Sequence, residues 1–209
     1  MPKETFFNLP EEKRRKIIET ATREFAVKGY QGCSIQTIAD ESDVAKGSMY
    51  QYFENKKELF FYILDLAGQK KAEVIAEIMK DKSNLPFFEL LEVMFIAGIR
   101  FAVQHPELYR IYQDIQEKAP EEIRKEFNDR TNALGLQYYH SFLSAAANRN
   151  EIRNDLSMDL MVYVFCTFAR SFGDYLVENK SLDSEEKYVN HIRQFLEILK
   201  NGIKPHEGD

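Results

Sequence analysis

The 209 residues, 44% of them apolar and 30% charged, suffice for a sizeable core and exclude a disordered tail. No apolar run reaches the length of a membrane span and residues 1–10 lack a secretory apolar core, so the expected location is the cytoplasm. The net charge of −6 argues at first against a nucleic-acid partner, yet residues 1–57 hold ten Lys/Arg against nine Asp/Glu and the remainder eighteen against twenty-five, so the acidity lies in the C-terminal part.

In chain order the pattern is helical almost throughout, with prolines between periodic segments. A first helix is expected over 11–28, with Ile17, Ile18, Ala21, Phe25 and Ala26 on one stripe and Gly29 as its stop. The basic cluster at residues 13–16 lies on it, either as a solvated face or as a contact with flanking DNA backbone. Ser34 suits the cap of a short helix over 35–41, and a turn at 42–45 leads to another over 46–52. Asn55 suits the cap of a long helix to about residue 80. Beyond a loop at 81–86, a fifth helix runs from Phe87 until His105-Pro106 stops it, and a short sixth covers 107–116. Pro120 suits the first turn of a seventh, to Asn148. Ser157 suits the cap of an eighth, to Glu178, and Asp183 or Ser184 that of a ninth, to Asn201. The expected fold class is therefore all-α with about nine helices. A three-helix module occupies residues 1–54 and a larger helical domain residues 55–209.

The informative stretch is 34–60, SIQTIADESDVAKGSMYQYFENKKELF. Two short helices joined by a tight turn make little core alone. Ile35, Ile38, Ala39, Val44, Met49 and Phe53 fall where they can pack together and against the first helix. The face left over on the helix over 46–52 is small and hydrogen-bonding: Lys46, Gly47, Ser48, Tyr50, Gln51 and Tyr52. Such a surface suits a major groove, where phosphates take cations and hydroxyls and base edges take amides and small side chains.

The segment closely resembles the DNA-binding domain of the tetracycline-repressor (TetR) family. The matching features are Phe25, Gly29-Tyr30, Ser34, Ile38-Ala39, Val44-Ala45-Lys46-Gly47-Ser48-Met49-Tyr50, Tyr52-Phe53, Asn55-Lys56 and Glu58-Leu59. The resemblance implies that Ser34, Thr37, Tyr50, Tyr52 and Lys56 hold phosphates, and that Gln36, Lys46, Gly47, Ser48 and Gln51 approach base edges. One departure stands out: the turn usually carries Ala-Gly where this chain has Ser42-Asp43. Aspartate tolerates left-handed backbone better than most residues, so the turn is expected to form.

The C-terminal part is rich in rings at three- and four-residue spacing. Each suits core packing, and as a set they also suit an apolar pocket. The candidate ligand-binding residues are Phe95, Ile99, Tyr109, Tyr112, Tyr138, Phe142, Phe165 and Phe168, with Arg100 and Arg170 to orient a ligand. In TetR-like proteins the last two helices pair with their copies across a two-fold axis. The stripes with Phe172, Leu176, Ile192, Phe195 and Leu199 are the candidate dimer interface. The resemblance thus implies a homodimeric repressor of a palindromic DNA operator, released by a small, largely apolar or aromatic effector. Cys33 and Cys166 lie far apart and read as reduced thiols. Nothing in the sequence suggests a catalytic constellation, a cofactor loop or paired histidines for a metal.

Overall fold

The computed structural model describes residues 1–82, 84–179 and 183–201. The described residues form ten helices and no strand. These are α1 (Glu4–Phe7), α2 (Glu11–Gly32), α3 (Ile35–Glu41), α4 (Lys46–Tyr52), α5 (Lys56–Lys82), α6 (Phe87–Gln104), α7 (Pro106–Glu117), α8 (Glu121–Asn148), α9 (Met158–Glu178) and α10 (Glu185–Asn201).

The helix signals read from the sequence are realised as hydrogen bonds. Ser34 accepts from the Thr37 N–H at 3.2 Å, Asn55 from Glu58 at 2.9 Å, Ser157 from Leu160 at 3.4 Å and Ser184 from Lys187 at 3.2 Å. Gly29 interrupts α2 with φ 67° and ψ 174°, a conformation that a Cβ disfavours. One helix was not foreseen. Residues 4–7 have no amphipathic period, yet they fold into α1 because Phe6 is buried against Phe53 and Tyr62, at ring separations of 4.9 and 5.7 Å.

The chain packs as two compact units. The first comprises Met1–Glu73 and Gln104–Phe127. Its core joins Phe25, Ile38, Met49, Leu59 and Phe60 to Ile111 and Ile115 of α7. The second comprises Val74–Val103 and the described residues from Asn128 onward. Phe87 and Leu91 of α6, Leu143 of α8, Leu176 of α9 and Ile192 of α10 form its core.

Candidate nucleic-acid interface

Seven-residue helices such as α3 and α4 are too short to persist alone in water. Their order comes from Ile38, Ala39, Met49 and Phe53, all buried in the core of the first unit. The turn between them closes by Ser42 N–H to the Ile38 carbonyl at 3.0 Å and Val44 N–H to the Ala39 carbonyl at 3.0 Å. Asp43 takes the left-handed conformation expected of it, with φ 55°. Its carboxylate meets the Lys16 ammonium, whose hydrogen bond and charge hold the carboxyl below its ordinary range. Lys16, from the basic run on α2, is thereby tied to the turn. The Ser42 hydroxyl is buried and, among the described residues, has no hydrogen-bond partner.

With Met49 inward, α4 turns Lys46, Gly47, Tyr50 and Gln51 outward, and Ser48 is half-buried. Tyr50 is 46% exposed. On α3, Gln36 is exposed and its amide donates to Asp40 at 2.7 Å, while Ser34 and Thr37 are half-buried around the helix start. Eight of the ten expected DNA-contacting residues therefore lie on the α3 start and α4 with some surface open. Two are placed differently. Tyr52 is only 8% exposed and its ring lies 6.1 Å from that of Phe6, so it is a core residue and not part of the open face. It follows Gln51 at a position that faces α1, a helix the sequence did not announce. Lys56 donates to the Gln31 and Cys33 carbonyls at 3.1 and 3.2 Å and lies 4.9 Å from the Tyr30 ring centre. It caps the end of α2, so its ammonium is already engaged by backbone acceptors.

Behind this face, α7 packs on α2. The Asp114 carboxylate accepts the Tyr30 N–H at 2.9 Å, directly after the break at Gly29. A Cβ on Gly29 would stand 2.3 Å from an Asp114 carboxylate oxygen, so any other residue there forces that carboxylate aside. Lys57 at the start of α5 meets Glu122 at 2.5 Å and Glu126 at 2.7 Å on α8.

The expected ligand-binding set is divided. Tyr109 and Tyr112 belong to the first unit, where Tyr112 neighbours Phe127 at 6.1 Å. Phe95, Ile99, Tyr138, Phe142 and Phe165 belong to the second. Tyr138 stacks on Phe142 at 6.1 Å, and Phe142 and Phe165 approach Phe87 at 5.0 and 6.0 Å. Beside them, burial raises the Tyr139 phenol above its ordinary range. Arg100 is committed to Glu185 of α10, which keeps that carboxyl below its usual range. Phe168 and Arg170 point outward on α9, and Phe168 is 46% exposed.

Three of the five dimer candidates, Phe172, Leu176 and Ile192, need correction, while Phe195 and Leu199 are half-buried. Leu176 and Ile192 are completely buried and Phe172 nearly so, because they hold α9 against α10 within one chain; Phe172 stacks on Phe195 at 4.2 Å. Residues with no surface cannot meet a second copy. The outward stripe of the same helices carries Leu160, Phe168 and Tyr175 of α9 and Ile198 of α10. Phe168 touches Phe195 at 6.3 Å and Tyr175 touches His191 at 5.7 Å, so the rings continue across both helices. Among the described residues no helix is long and apolar enough to cross a membrane.

Residues 17–63, which span α3, the turn and α4, match the family model described as bacterial regulatory proteins, tetR family. The chain is 26% identical over 160 residues to the probable acrEF/envCD operon repressor of Escherichia coli K12, covering 72% of this chain and 70% of that one. A TetR family transcriptional regulator from Chloroflexus aurantiacus superposes with a TM-score of 0.67 at 26% identity, covering 99% of this chain and all of the other. FadR of Bacillus subtilis, solved with stearoyl-CoA, shares the fold with a TM-score of 0.72 at 21% identity over 91% of this chain and 99% of its own. Residues 17–63 therefore carry the DNA-binding domain of the TetR family, and the curated and structural relatives of the chain are TetR-family transcriptional regulators, which are DNA-binding proteins and not enzymes.

Proposed function

We propose that this protein is a repressor that binds a palindromic operator as a homodimer in the cytoplasm and is released by a small, largely apolar effector. The observation that carries the reading is the open face of α4. Lys46, Gly47, Tyr50 and Gln51 project outward while Met49 and Phe53 are sunk in the core, so a compact set of cationic, amide and hydroxyl groups stands on a rigid support. In this reading Gln36, Lys46, Gly47, Ser48 and Gln51 approach base edges, and Ser34, Thr37 and Tyr50 hold phosphates. Residues 1–54 form the DNA-binding module and residues 55–209 the sensing and dimerising one.

One helix-turn-helix reads few base pairs, and two on a two-fold axis read a palindrome. The exposed stripe of Leu160, Phe168, Tyr175 and Ile198 suits that axis, since an apolar strip on α9 and α10 is costly to leave in water. In this reading the effector binds among the rings of the second unit around Tyr138, Phe142 and Phe165. Its signal reaches DNA through α7, whose Asp114 grips the end of α2 next to the helix-turn-helix. To act as a switch, the effector must favour the DNA-incompetent arrangement by roughly 1–3 kcal/mol.

The test is selection of bound duplex from a random-sequence library, followed by thermal-shift screening of lipophilic compounds that includes stearoyl-CoA, the ligand of the structurally similar FadR. The reading expects a two-fold-symmetric site, and release from it by any compound that stabilises the protein. Recovery of no preferred sequence contradicts the DNA half. Stabilising compounds that leave DNA affinity unchanged contradict the switch.

A further inference from the structure

The C-terminal end of a helix leaves its last four carbonyls without intrahelical donors. In α4 these belong to Met49, Tyr50, Gln51 and Tyr52, and each is accounted for. The Phe53 N–H reaches Met49 at 2.8 Å. The other three are met by a segment some fifty positions earlier in the chain. The Lys3 ammonium donates to the Tyr50 carbonyl at 2.9 Å, the Thr5 hydroxyl to Gln51 and the Lys3 N–H to Tyr52 at 2.9 Å. The donors are fixed in turn. Phe6, 1% exposed, anchors α1 in the core, and the Arg14 guanidinium on α2 donates to the Phe7 carbonyl. Lys3 also places a cation at the negative end of the α4 dipole.

We infer that Lys3 and Thr5 are positioning residues for DNA recognition, which set α4 in its reading position by capping its C-terminal carbonyls. The inference rests on the reading of α4 as the recognition helix. A seven-residue helix has little stiffness of its own, and Tyr50 and Gln51 carry both the outward side chains and two of the capped carbonyls. Any loosening of the cap moves the groups expected to meet DNA. The contribution comes from backbone hydrogen bonds at the end away from Lys46 and Gly47, and requires no contact between Lys3 or Thr5 and the duplex.

The experiment uses the full chain with Thr5→Val, which keeps the shape and removes the hydroxyl, Thr5→Ser, which restores it, and Lys3→Met. Two readouts are taken: amide hydrogen exchange across α4, and affinity for the selected operator as a function of salt. Thr5→Val and Lys3→Met are each expected to speed exchange in α4 by about 3- to 10-fold, with α2 and α5 unchanged, which is the loss of one ordinary hydrogen bond. Operator affinity should fall by about the same factor with the salt slope intact, and Thr5→Ser should match the wild type. Wild-type exchange and affinity in both Thr5→Val and Lys3→Met overturn the inference. So does a Lys3→Met variant whose salt slope drops by about one while α4 exchange stays normal, because Lys3 is then a phosphate contact. If the wild type selects no DNA site, the recognition reading fails, and α4 exchange alone still decides whether the cap holds the helix.

Discussion

Replacing Gly29 by alanine attacks the first unit at the point where α7 meets the end of α2. Two costs follow from the geometry. The residue sits at φ 67° and ψ 174°, a region essentially reserved for glycine, where a Cβ costs about 1–3 kcal/mol. The new Cβ would also lie 2.3 Å from an Asp114 oxygen, so the carboxylate must swing away and release the Tyr30 N–H, a partly exposed bond to a charged acceptor worth about 1–2 kcal/mol. Together the loss is roughly 2–5 kcal/mol, a large fraction of the stability of an ordinary domain. Urea unfolding followed by circular dichroism reads it, with Asp114→Ala and the double variant closing a cycle. Asp114→Ala alone loses the hydrogen bond and spares the backbone. The double variant should therefore fall short of the sum of the singles by about 1–2 kcal/mol, because both singles lose the same bond. Additive effects, or a Gly29→Ala variant within about 0.5 kcal/mol of the wild type, refute the latch.

Ser42→Ala removes a buried hydroxyl that has no partner among the described residues, and should raise stability by up to about 1 kcal/mol in the same urea assay, against the usual loss at buried positions. Phe168→Asp, on the outward stripe of α9, should give monomers in sedimentation at micromolar concentration with the helical circular-dichroism signal intact, since the residue is 46% exposed in the single chain. A dimer that survives this change moves the interface elsewhere. Burial pushes the Cys33 thiol up to about 12, so at pH 8 almost no thiolate is present and the native protein should react there with a thiol reagent only as it unfolds. Raising the pH toward that value should speed labelling; fast labelling of native Cys33 at pH 8 contradicts its burial.

Much of the fold was legible because the local rules agreed with the tertiary result. α3 and α4 lie where Ser34 and the Ser42–Asp43 turn say they should, and Gly29 breaks α2 as expected of a glycine after a periodic run. What stayed hidden depended on partners distant in sequence. Residues 1–10 show no period, and α1 exists only because Phe6 finds Phe53 and Tyr62. Phe6 likewise draws Tyr52 into the core, and the carbonyls of Gln31 and Cys33 engage the Lys56 ammonium. The stripes of α9 and α10 were visible as apolar, but a helix with apolar residues on most sides does not say which stripe faces its own chain. Leu176 faces inward while Tyr175, its neighbour in the chain, faces out.

Gln51→Ala offers the decisive comparison, because it alters one exposed amide on α4 and nothing in the core. Affinity is measured for the selected operator, for single-base variants of it and for random duplex, over a range of salt. If α4 reads DNA with this face, Gln51→Ala lowers discrimination at one symmetric pair of positions by about 1–3 kcal/mol, while random-duplex affinity and the salt slope stay as in the wild type. Unchanged discrimination at every position contradicts the assignment of α4 as the reading helix.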